Sequence, residues 1–422
     1  MKQKVHIALL MMVKNEQKRL QITLDSVENV VDSLIIFDTG STDNTIQIIK
    51  DFSKKTGIPL NLKQGDFVNF SQSRNVSLSF ADEIDNVDFL LLLDCNDEVK
   101  GGEYLREFCE KEKDVEEHIR YLCCQEWKSE KYDKYYNVRL CKPRTGCRYK
   151  GSVHEYMVDT TLKKGEKDKP VLRVGDEFII YQDRTQDDNK SGERFERDKK
   201  LLLAEHIKDP TEPRTVFYLA QTCACLNQQE DAYYYYKLRL ELPGFYEERY
   251  QSYFRIGELA EGMGHPWYDC MAWYMKAFEF DNRAEPLVKI TQHYIQEAGK
   301  NQGLWALAFH FIYLCCELKY PDHCILFVDK EIYDYKRWHL LGIVGFYCGK
   351  YNEGEIGCRM ALQAKNLEVD KNNLKFYTDR KVDSQPEYPS PAFHSSGIDV
   401  KTTTGKVNNK KKNKKRKNRK CK

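Results

Sequence analysis

The first hundred residues alternate short, mostly apolar runs with segments whose apolar side chains recur at helical spacing. The apolar runs span 6–13, 34–37, 60–62 and 89–93, and the segments with helical spacing include 20–31, 46–52 and 74–81. A strand that is apolar on both faces belongs in a parallel sheet that helices cover on both sides. The pattern therefore predicts an α/β domain with a mostly parallel sheet, in which ligands bind beyond the carboxyl ends of the strands.

From about residue 193 onward the pattern changes to paired helices. Segments 215–226 and 230–242 form one predicted hairpin, in which Ala220, Ala232 and Tyr236 fall near the small and aromatic positions of a tetratricopeptide repeat. That repeat has a period of about 34 residues. We expect an all-α array of tetratricopeptide-like hairpins, and a generic helical bundle is the alternative.

The end of the chain is polar and then rich in lysine. From Lys406 to Lys422 there are eleven Lys or Arg residues and no Asp or Glu. Such a segment cannot bury a core, so we predict a disordered tail over 367–422, after an α/β domain at 1–190 and a helical domain at 191–366. Charge without aromatic residues predicts salt-sensitive contact with polyanions, and it is also compatible with nuclear localisation.

Cysteine usage indicates a reducing compartment. None of the fifteen cysteines lies in a CxxC motif, and several lie in apolar stretches. This favours buried thiols in a cytoplasmic protein over a disulfide framework. The apolar run 7–13 ends at Lys14 without a cleavage site, which favours a strand over a signal peptide. No segment reaches the roughly 20 apolar residues that span a membrane, so we expect a soluble protein.

Acidic residues follow the second and fourth predicted strands. Asp38 could accept a hydrogen bond from a nucleotide base or a ribose, although an ordinary strand-to-helix connection is the alternative. Asp94, Asn96 and Asp97 directly follow four leucines. Oxygen ligands of this kind suit Mg²⁺ or Mn²⁺ bound together with substrate phosphates. An exposed acidic loop without a metal is the alternative there.

A third candidate is the adjacent pair His154 and Glu155. The two residues lie in a segment rich in strand formers, and neighbouring side chains of a strand point to opposite faces. Glu155 could therefore face a substrate as a general base while His154 supports a metal or the sheet. A His-Glu pair without such a role is the stronger alternative when the pair is taken alone.

Taken together, five segments resemble the family 2 glycosyltransferases of the GT-A fold. The segments are 12–16, 38–43, 70–75, 94–98 and 149–155. More narrowly, the chain is similar to members that are fused to tetratricopeptide repeats, which include peptide S-glycosyltransferases. The resemblance covers residues 5–290, and it implies a GT-A domain followed by the helical repeats.

The resemblance also implies a donor site for a nucleotide-sugar, in particular a UDP-sugar. Asp38 would hydrogen-bond the base, and Asp94 would lie by the ribose and the metal. The other implied donor-binding residues are Asn15, Glu16, Arg74 and Asn75. A Mn²⁺ or Mg²⁺ ion would be held by Asp94, Asn96 and Asp97.

On the acceptor side, Glu155 would be the base of an inverting transfer, with His154 as its support or as a metal ligand. The acceptor would be a protein, a peptide or a glycan. Two positions depart from the family pattern. Asn96 stands where the family has an aspartate, and the stretch 181–183 lacks the histidine that peptide S-glycosyltransferases carry.

Other classes fit less well. Sugar nucleotidyltransferases need a glycine-rich phosphate loop after the first strand, where this chain has Lys14-Asn15-Glu16. Neither a GxGxxG motif nor a P-loop follows any predicted strand, which disfavours dinucleotide-dependent oxidoreductases and P-loop enzymes. The remaining alternative is a non-catalytic tetratricopeptide scaffold with a degenerate glycosyltransferase domain, which Asn96 and the missing histidine favour.

Overall fold

The structure is a computed structural model that describes residues 4–128, 132–163, 166–183 and 191–379. Within these ranges an α/β domain is followed by an array of helices. The tail for which disorder is predicted lies outside the described residues beyond 379.

The α/β domain begins with the alternation that the sequence predicts. Its first elements are β1 (Ile7–Val13), α1 (Leu20–Val27), β2 (Ser33–Asp38), α2 (Thr45–Thr56), β3 (Leu60–Gln64), α3 (Phe70–Asp82) and β4 (Phe89–Leu92). The elements that follow are β5 (Glu98–Lys100), α4 (Gly102–Glu112), β6 (Arg120–Lys128), β7 (Tyr132–Cys141), β8 (Cys147–Lys150), β9 (Tyr156–Asp159), β10 (Leu172–Arg173) and β11 (Ile179–Asp183).

The main sheet is mixed but mostly parallel, as expected. Its strand order is β3-β2-β1-β4-β7-β6-β11-β5, with β10 paired to β6. Strands β3, β2, β1 and β4 pair in parallel. Strands β7 and β5 run against the others. Strands β8 and β9 form a separate antiparallel hairpin.

Helices cover both faces of the sheet because β1 is apolar at every position. Ile7, Leu9 and Met11 pack on one side in a cluster that includes buried residues of α1, α2 and α4. Ala8 and Leu10 pack on the other side with residues of α3. Successive side chains of a strand point to opposite faces, so one continuous apolar run supplies both halves of the core.

The helical array consists of consecutive neighbours packed side by side. Its helices are α5 (Ser191–Lys208), α6 (Pro213–Cys225), α7 (Gln229–Glu241), α8 (Tyr246–Gly262), α9 (Trp267–Phe280), α10 (Ala284–Glu297), α11 (Leu304–Glu317), α12 (Arg337–Tyr347), α13 (Tyr351–Ala364) and α14 (Glu368–Thr378). Ala220, Ala232 and Tyr236 are buried at the first hairpin, as the repeat pattern predicts.

The boundary predicted after residue 366 needs correction. The last described helix, α14, lies beyond it. Asp370 of α14 is fully buried; it accepts a hydrogen bond from Tyr335 and pairs with His339. The polar composition after Leu367 contains no apolar stripe that predicts this helix, which is anchored by two buried side chains, Asp370 and Tyr377.

The cysteines behave as the sequence predicts. Fourteen of them lie in the described residues, all as free thiols, and twelve of these are buried. Among the described helices, none combines the length and the apolar character needed to cross a membrane.

Close helix packing gives a first prediction. A Cβ at Gly345 of α12 would lie 2.6 Å from the Cα of Gly354 in α13. Because that neighbour is backbone, Gly345→Ala should force the two helices apart and destabilise the fold by about 1–3 kcal/mol. Thermal unfolding followed by circular dichroism measures the loss. Gly299→Ala is the matched control, since a methyl group at that position would have no atom within 4 Å; equal melting temperatures for the two variants would contradict the packing argument.

Candidate active site

The tips of β1, β2 and β3 lie side by side at one edge of the sheet. Val13 pairs with Asp38, and Asp38 pairs with Gln64. The loops after β1 and β2 are joined by hydrogen bonds, because Asn15 N donates to Ser41 Oγ (3.0 Å) and Thr42 N donates to Asn15 Oδ1 (2.7 Å). Asn15 has φ 56°, a left-handed conformation that asparagine tolerates. The two loops therefore form one continuous rim.

Glu16 belongs to the same rim. Its backbone N–H donates to Thr45 Oγ1 (2.7 Å), which ties the start of α1 to the start of α2. Partial burial and the nearby negative charges of Asp43 and Asp94 raise the pKa of the Glu16 carboxyl. The Glu16 carboxyl thus lies close enough to Asp94 to feel its charge.

Asp38 is placed differently from expectation. It is fully buried. Its Oδ1 accepts from Ser41 N (3.0 Å), and its Oδ2 accepts from the Gln64 side-chain amide (3.0 Å). The carboxylate therefore caps the turn at Gly40 and does not point into the open crevice.

The segment after β4 alternates between solvent and core. Asp94 and Asn96 are partly exposed, whereas Cys95 and Asp97 are buried. Asp97 Oδ2 accepts from Asp94 N (2.7 Å), and its Oδ1 accepts from the Gln182 amide. Burial and the Asp94 charge raise the pKa of Asp97 to about 6. Contrary to the sequence prediction, Asp97 is turned away from the face on which a metal ligand would lie.

Gln182 explains the inward position of Asp97. It lies on β11, in the stretch where the resemblance would require a histidine, and its amide also donates to Asn96 Oδ1 (3.3 Å). Apart from the absence of histidine, no sequence signal marks this residue. A divalent ion at this edge would meet two partly exposed protein oxygen donors, from Asp94 and Asn96. That set fits an ion that takes most of its other ligands from substrate phosphate and water.

Arg74 of α3 connects two carboxylates. Its Nη2 donates to Asp94 Oδ1 (2.8 Å), and its Nε donates to Glu155 Oε1 (2.9 Å). Arg139 of β7 donates to the other oxygen of Asp94 (3.0 Å). Although burial alone would raise it, the two guanidinium groups hold the pKa of Asp94 well below its usual range. Arg74 is among the site residues that the sequence predicts. Arg139 is not, and its only mark in the sequence is a single charge within a strand.

Asn75 has a structural contact instead of a ligand-facing one. Its side-chain amide donates to Tyr149 O (2.9 Å) and accepts from Tyr149 N (2.7 Å). The side chain thereby replaces a strand partner for β8. The adjacent ring of Tyr149 lies 5.5 Å from the Arg74 guanidinium. Asn75 thus fixes the hairpin that carries Glu155, and it does so without facing the crevice.

His154 and Glu155, in the turn between β8 and β9, point in different directions. Glu155 reaches Arg74, and no hydrogen bond to its Oε2 occurs among the described residues. The His154 ring stacks on Tyr218 of α6, with ring centroids 4.0 Å apart and an interplanar angle of 10°. His154 has φ 50°, and its carbonyl accepts from Arg214 Nε (3.2 Å). His154 therefore contacts the helical array, away from Asp94.

The electrostatics keep His154 uncharged. The residue as a whole is exposed to solvent, but its ring loses water on the face that covers Tyr218. This desolvation and the positive charge of Arg214 both lower the pKa of His154. The imidazole is therefore neutral near pH 7.

A cleft of about 170 Å³ lies where the β8–β9 turn meets α5 and α6. Its wall includes His154, Tyr156, Arg214 and Tyr218. Arg214 also donates to Glu248 (3.1 Å), a buried acid of α8 that accepts two bonds from the buried Arg239 of α7 (3.1 Å each). A chain of charges thus links the turn to the second hairpin of the array.

Known proteins show similarity to both parts of the chain. Residues 9–162 match the family described as glycosyl transferase family 2. A tetratricopeptide repeat-containing protein of Synechococcus elongatus is 27% identical over 216 residues, which are 48% of this chain and 49% of that protein. The chain therefore spans about half the length of this curated relative.

Two solved structures are also similar in part. Residues 1–349 of TarS from S. aureus, solved in complex with UDP-GlcNAc, show 14% identity and a TM-score of 0.31, covering 66% of this chain and 89% of that chain. The C-terminal part of a tetratricopeptide repeat protein from Cytophaga hutchinsonii shows 14% identity and a TM-score of 0.34, covering 44% and 65%.

All five segments that carry the family resemblance end within the matched residues. The matched span also contains Arg74, Asp94 and Glu155, which the structure joins through hydrogen bonds. Residues 9–162 of this chain thus carry the similarity to glycosyl transferase family 2, and the helical array follows them in the chain.

Proposed function

We propose that this protein transfers a sugar from a nucleotide-sugar donor, a UDP-sugar, to a protein, peptide or glycan acceptor. The observation that supports this most directly is the position of Arg74. One guanidinium holds both Asp94, at the end of β4, and Glu155, at the β8–β9 turn. A donor site at the strand ends and an acceptor base at Glu155 would thus be kept at a fixed separation, which is what positioning catalysis requires.

The donor would lie along the rim formed by the loops after β1, β2 and β4. Asn15 and Glu16 would shape its floor, and Asp38 would support the base pocket from beneath through the Gln64 amide. Asp94 is the accessible acid, since its side chain is 34% exposed and can reach a ribose or a phosphate-bound ion. Arg74 would hold Asp94 in place instead of binding the nucleotide alone.

A Mn²⁺ or Mg²⁺ ion would be held by Asp94 and Asn96. Such an ion neutralises the charge that develops on a leaving diphosphate. Arg74 and Arg139 keep Asp94 ionised, so that its oxygens are available as hard ligands without proton loss. Asp97 would act behind them, fixing the backbone N–H of Asp94.

Glu155 would take the proton from the acceptor nucleophile through Oε2, since Arg74 binds its Oε1. As that proton leaves, the nucleophile forms its bond to the anomeric carbon, and the bond from that carbon to the diphosphate oxygen breaks. An attack from the face opposite the diphosphate inverts the anomeric centre. His154 would hold the turn through Tyr218, and the adjoining cleft would admit the acceptor.

Donor binding and transfer can be separated at Glu155. Glu155→Gln retains an oxygen that accepts from Arg74 but cannot take a proton. Calorimetry with UDP, GDP and their sugar conjugates in the presence of Mn²⁺ should show unchanged donor affinity. Transfer to an acceptor should fall by roughly 10²–10⁴-fold.

Wild-type protein treated with a chelator is the control for metal-dependent binding. Unchanged transfer by Glu155→Gln would contradict the role as base. Failure of the wild-type chain to bind any nucleotide would favour the alternative, a scaffold whose helical array is the working surface.

The ligand set predicts how three substitutions change the Mn²⁺ requirement. Asp94→Asn removes the charged ligand and should raise the Mn²⁺ concentration needed for donor binding. Asn96→Asp adds a carboxylate and should lower it several-fold. Asp97→Asn is the matched control, because its carboxylate faces Gln182 and the Asp94 backbone, and it should leave the Mn²⁺ titration in place. If the Mn²⁺ titration shifted only in Asp97→Asn, then Asp97, and not Asp94 or Asn96, would be the metal ligand.

Arg214 provides a test of the contact between the two domains. Its fork reaches His154 O and Glu248 together, which the single ammonium of a lysine cannot reproduce. Arg214→Lys should therefore lower the turnover number by about tenfold or more while the donor affinity stays constant, because small misplacements of a catalytic turn are costly. Arg359→Lys, on the exposed face of α13, is the control. If the donor affinity of Arg214→Lys fell as much as its turnover number, the substitution would have caused a general folding defect instead.

A further inference from the structure

The segment 318–329 after α11 contacts the starts of α8 and α10, and we name it the crossing loop. Its backbone is satisfied by buried charged side chains. Glu247 accepts from the N–H groups of Ile325 (3.0 Å) and Leu326 (2.6 Å), and Arg283 donates to the carbonyls of Leu326 (3.3 Å) and Phe327 (2.7 Å). The loop is therefore fixed to the array although it lacks regular structure.

Three side chains of different chemistry meet beside this loop. Cys324 Sγ lies 3.6 Å from Asp281 Oδ2, and His323 Nε2 lies 4.0 Å from Asp281 Oδ1. Asp281 comes from the turn between α9 and α10. Their ligand atoms all lie within 4.8 Å of one another. Among the described residues, these three form a cluster of His, Cys and Asp side chains that is close enough to hold a metal ion.

The donor set matches zinc. Thiolate sulfur, imidazole nitrogen and carboxylate oxygen are its usual protein ligands, and bond lengths of about 2.0–2.3 Å place tetrahedral neighbours roughly 3.3–3.7 Å apart. The Cys324–Asp281 distance already falls in that range. His323 has a side chain 64% exposed to solvent, so its ring can close the remaining gap and leaves an entry path for the ion.

We propose that Asp281, His323 and Cys324 bind a Zn²⁺ ion, with water as the fourth ligand. The ion would fasten the crossing loop to the α9–α10 turn. Cys324 also accepts, through its carbonyl, from Arg173 of β10 (3.3 Å). The same residue would therefore contact the metal, the helical array and the main sheet, which gives the site a structural role independent of sugar transfer.

A metal-free arrangement would explain the same contacts by hydrogen bonds. The Cys324 thiol donates to Asp281, and the Tyr246 hydroxyl lies 4.0 Å from the same sulfur. Under that alternative the thiol stays protonated and the cluster has no metal affinity. The two cases differ in whether a thiolate–metal bond forms.

The test uses the full chain after removal of metals with a chelator. Titration with Co²⁺ should give the near-ultraviolet thiolate-to-cobalt absorption at one equivalent, and Zn²⁺ should displace it. Cys324→Ser should abolish that absorption. His323→Ala should weaken the affinity at least ~10-fold, and because His323 is exposed this variant should keep the wild-type circular dichroism spectrum.

Cys225→Ser is the matched control, since Cys225 is an exposed thiol on α6. Retention of the signal in Cys225→Ser together with its loss in Cys324→Ser supports the site. The proposal is overturned if the wild-type chain gives no thiolate–cobalt band, or if the band and affinity persist in His323→Ala. Nucleotide binding by the variants reports separately on the glycosyltransferase domain.

Discussion

The arrangement of the candidate active site depends on one guanidinium between two carboxylates. Arg74, Asp94 and Glu155 come from α3, the end of β4 and the β8–β9 turn, and Arg139 adds a second positive charge from β7. A largely buried charge is tolerated only when its partners are present and well aligned. Each of these elements must therefore be in place before the others are satisfied, and the two hydrogen bonds of Arg74 help to set the distance between the two acids.

The helical array extends this constraint into the second half of the chain. Asn75 holds β8 from the side of the sheet, while Tyr218 and Arg214 hold the His154 side of the turn. Glu155 directly follows His154 in this turn. Consequently the array contributes to the geometry of the turn itself, in addition to any surface that it offers to an acceptor.

The elements β1 to β4 and their helices were predictable because their apolar runs and helical spacing follow directly from burial on both faces. The co-location of Asp94, Arg74 and Glu155 followed from the family resemblance. The orientation of Asp38 and Asp97 did not, since a strand-tip sequence does not say whether a carboxylate caps a turn or faces solvent. The contacts of Gln182 with Asp97 and of Arg139 with Asp94 could not be predicted from the sequence, because the partners are 85 and 45 residues apart in the chain.

The charge chain through Arg214, Glu248 and Arg239 bears on how such a protein can be rearranged during evolution. Arg214 serves a carbonyl of the α/β domain and an acid of α8 at once. If the whole helical region were replaced by an unrelated one, His154 would lose the ring of Tyr218, and its carbonyl would lose the hydrogen bond from Arg214. Since Arg173 of the main sheet also bonds the carbonyl of Cys324 after α11, the α/β domain and the helices up to that loop are expected to be inherited together.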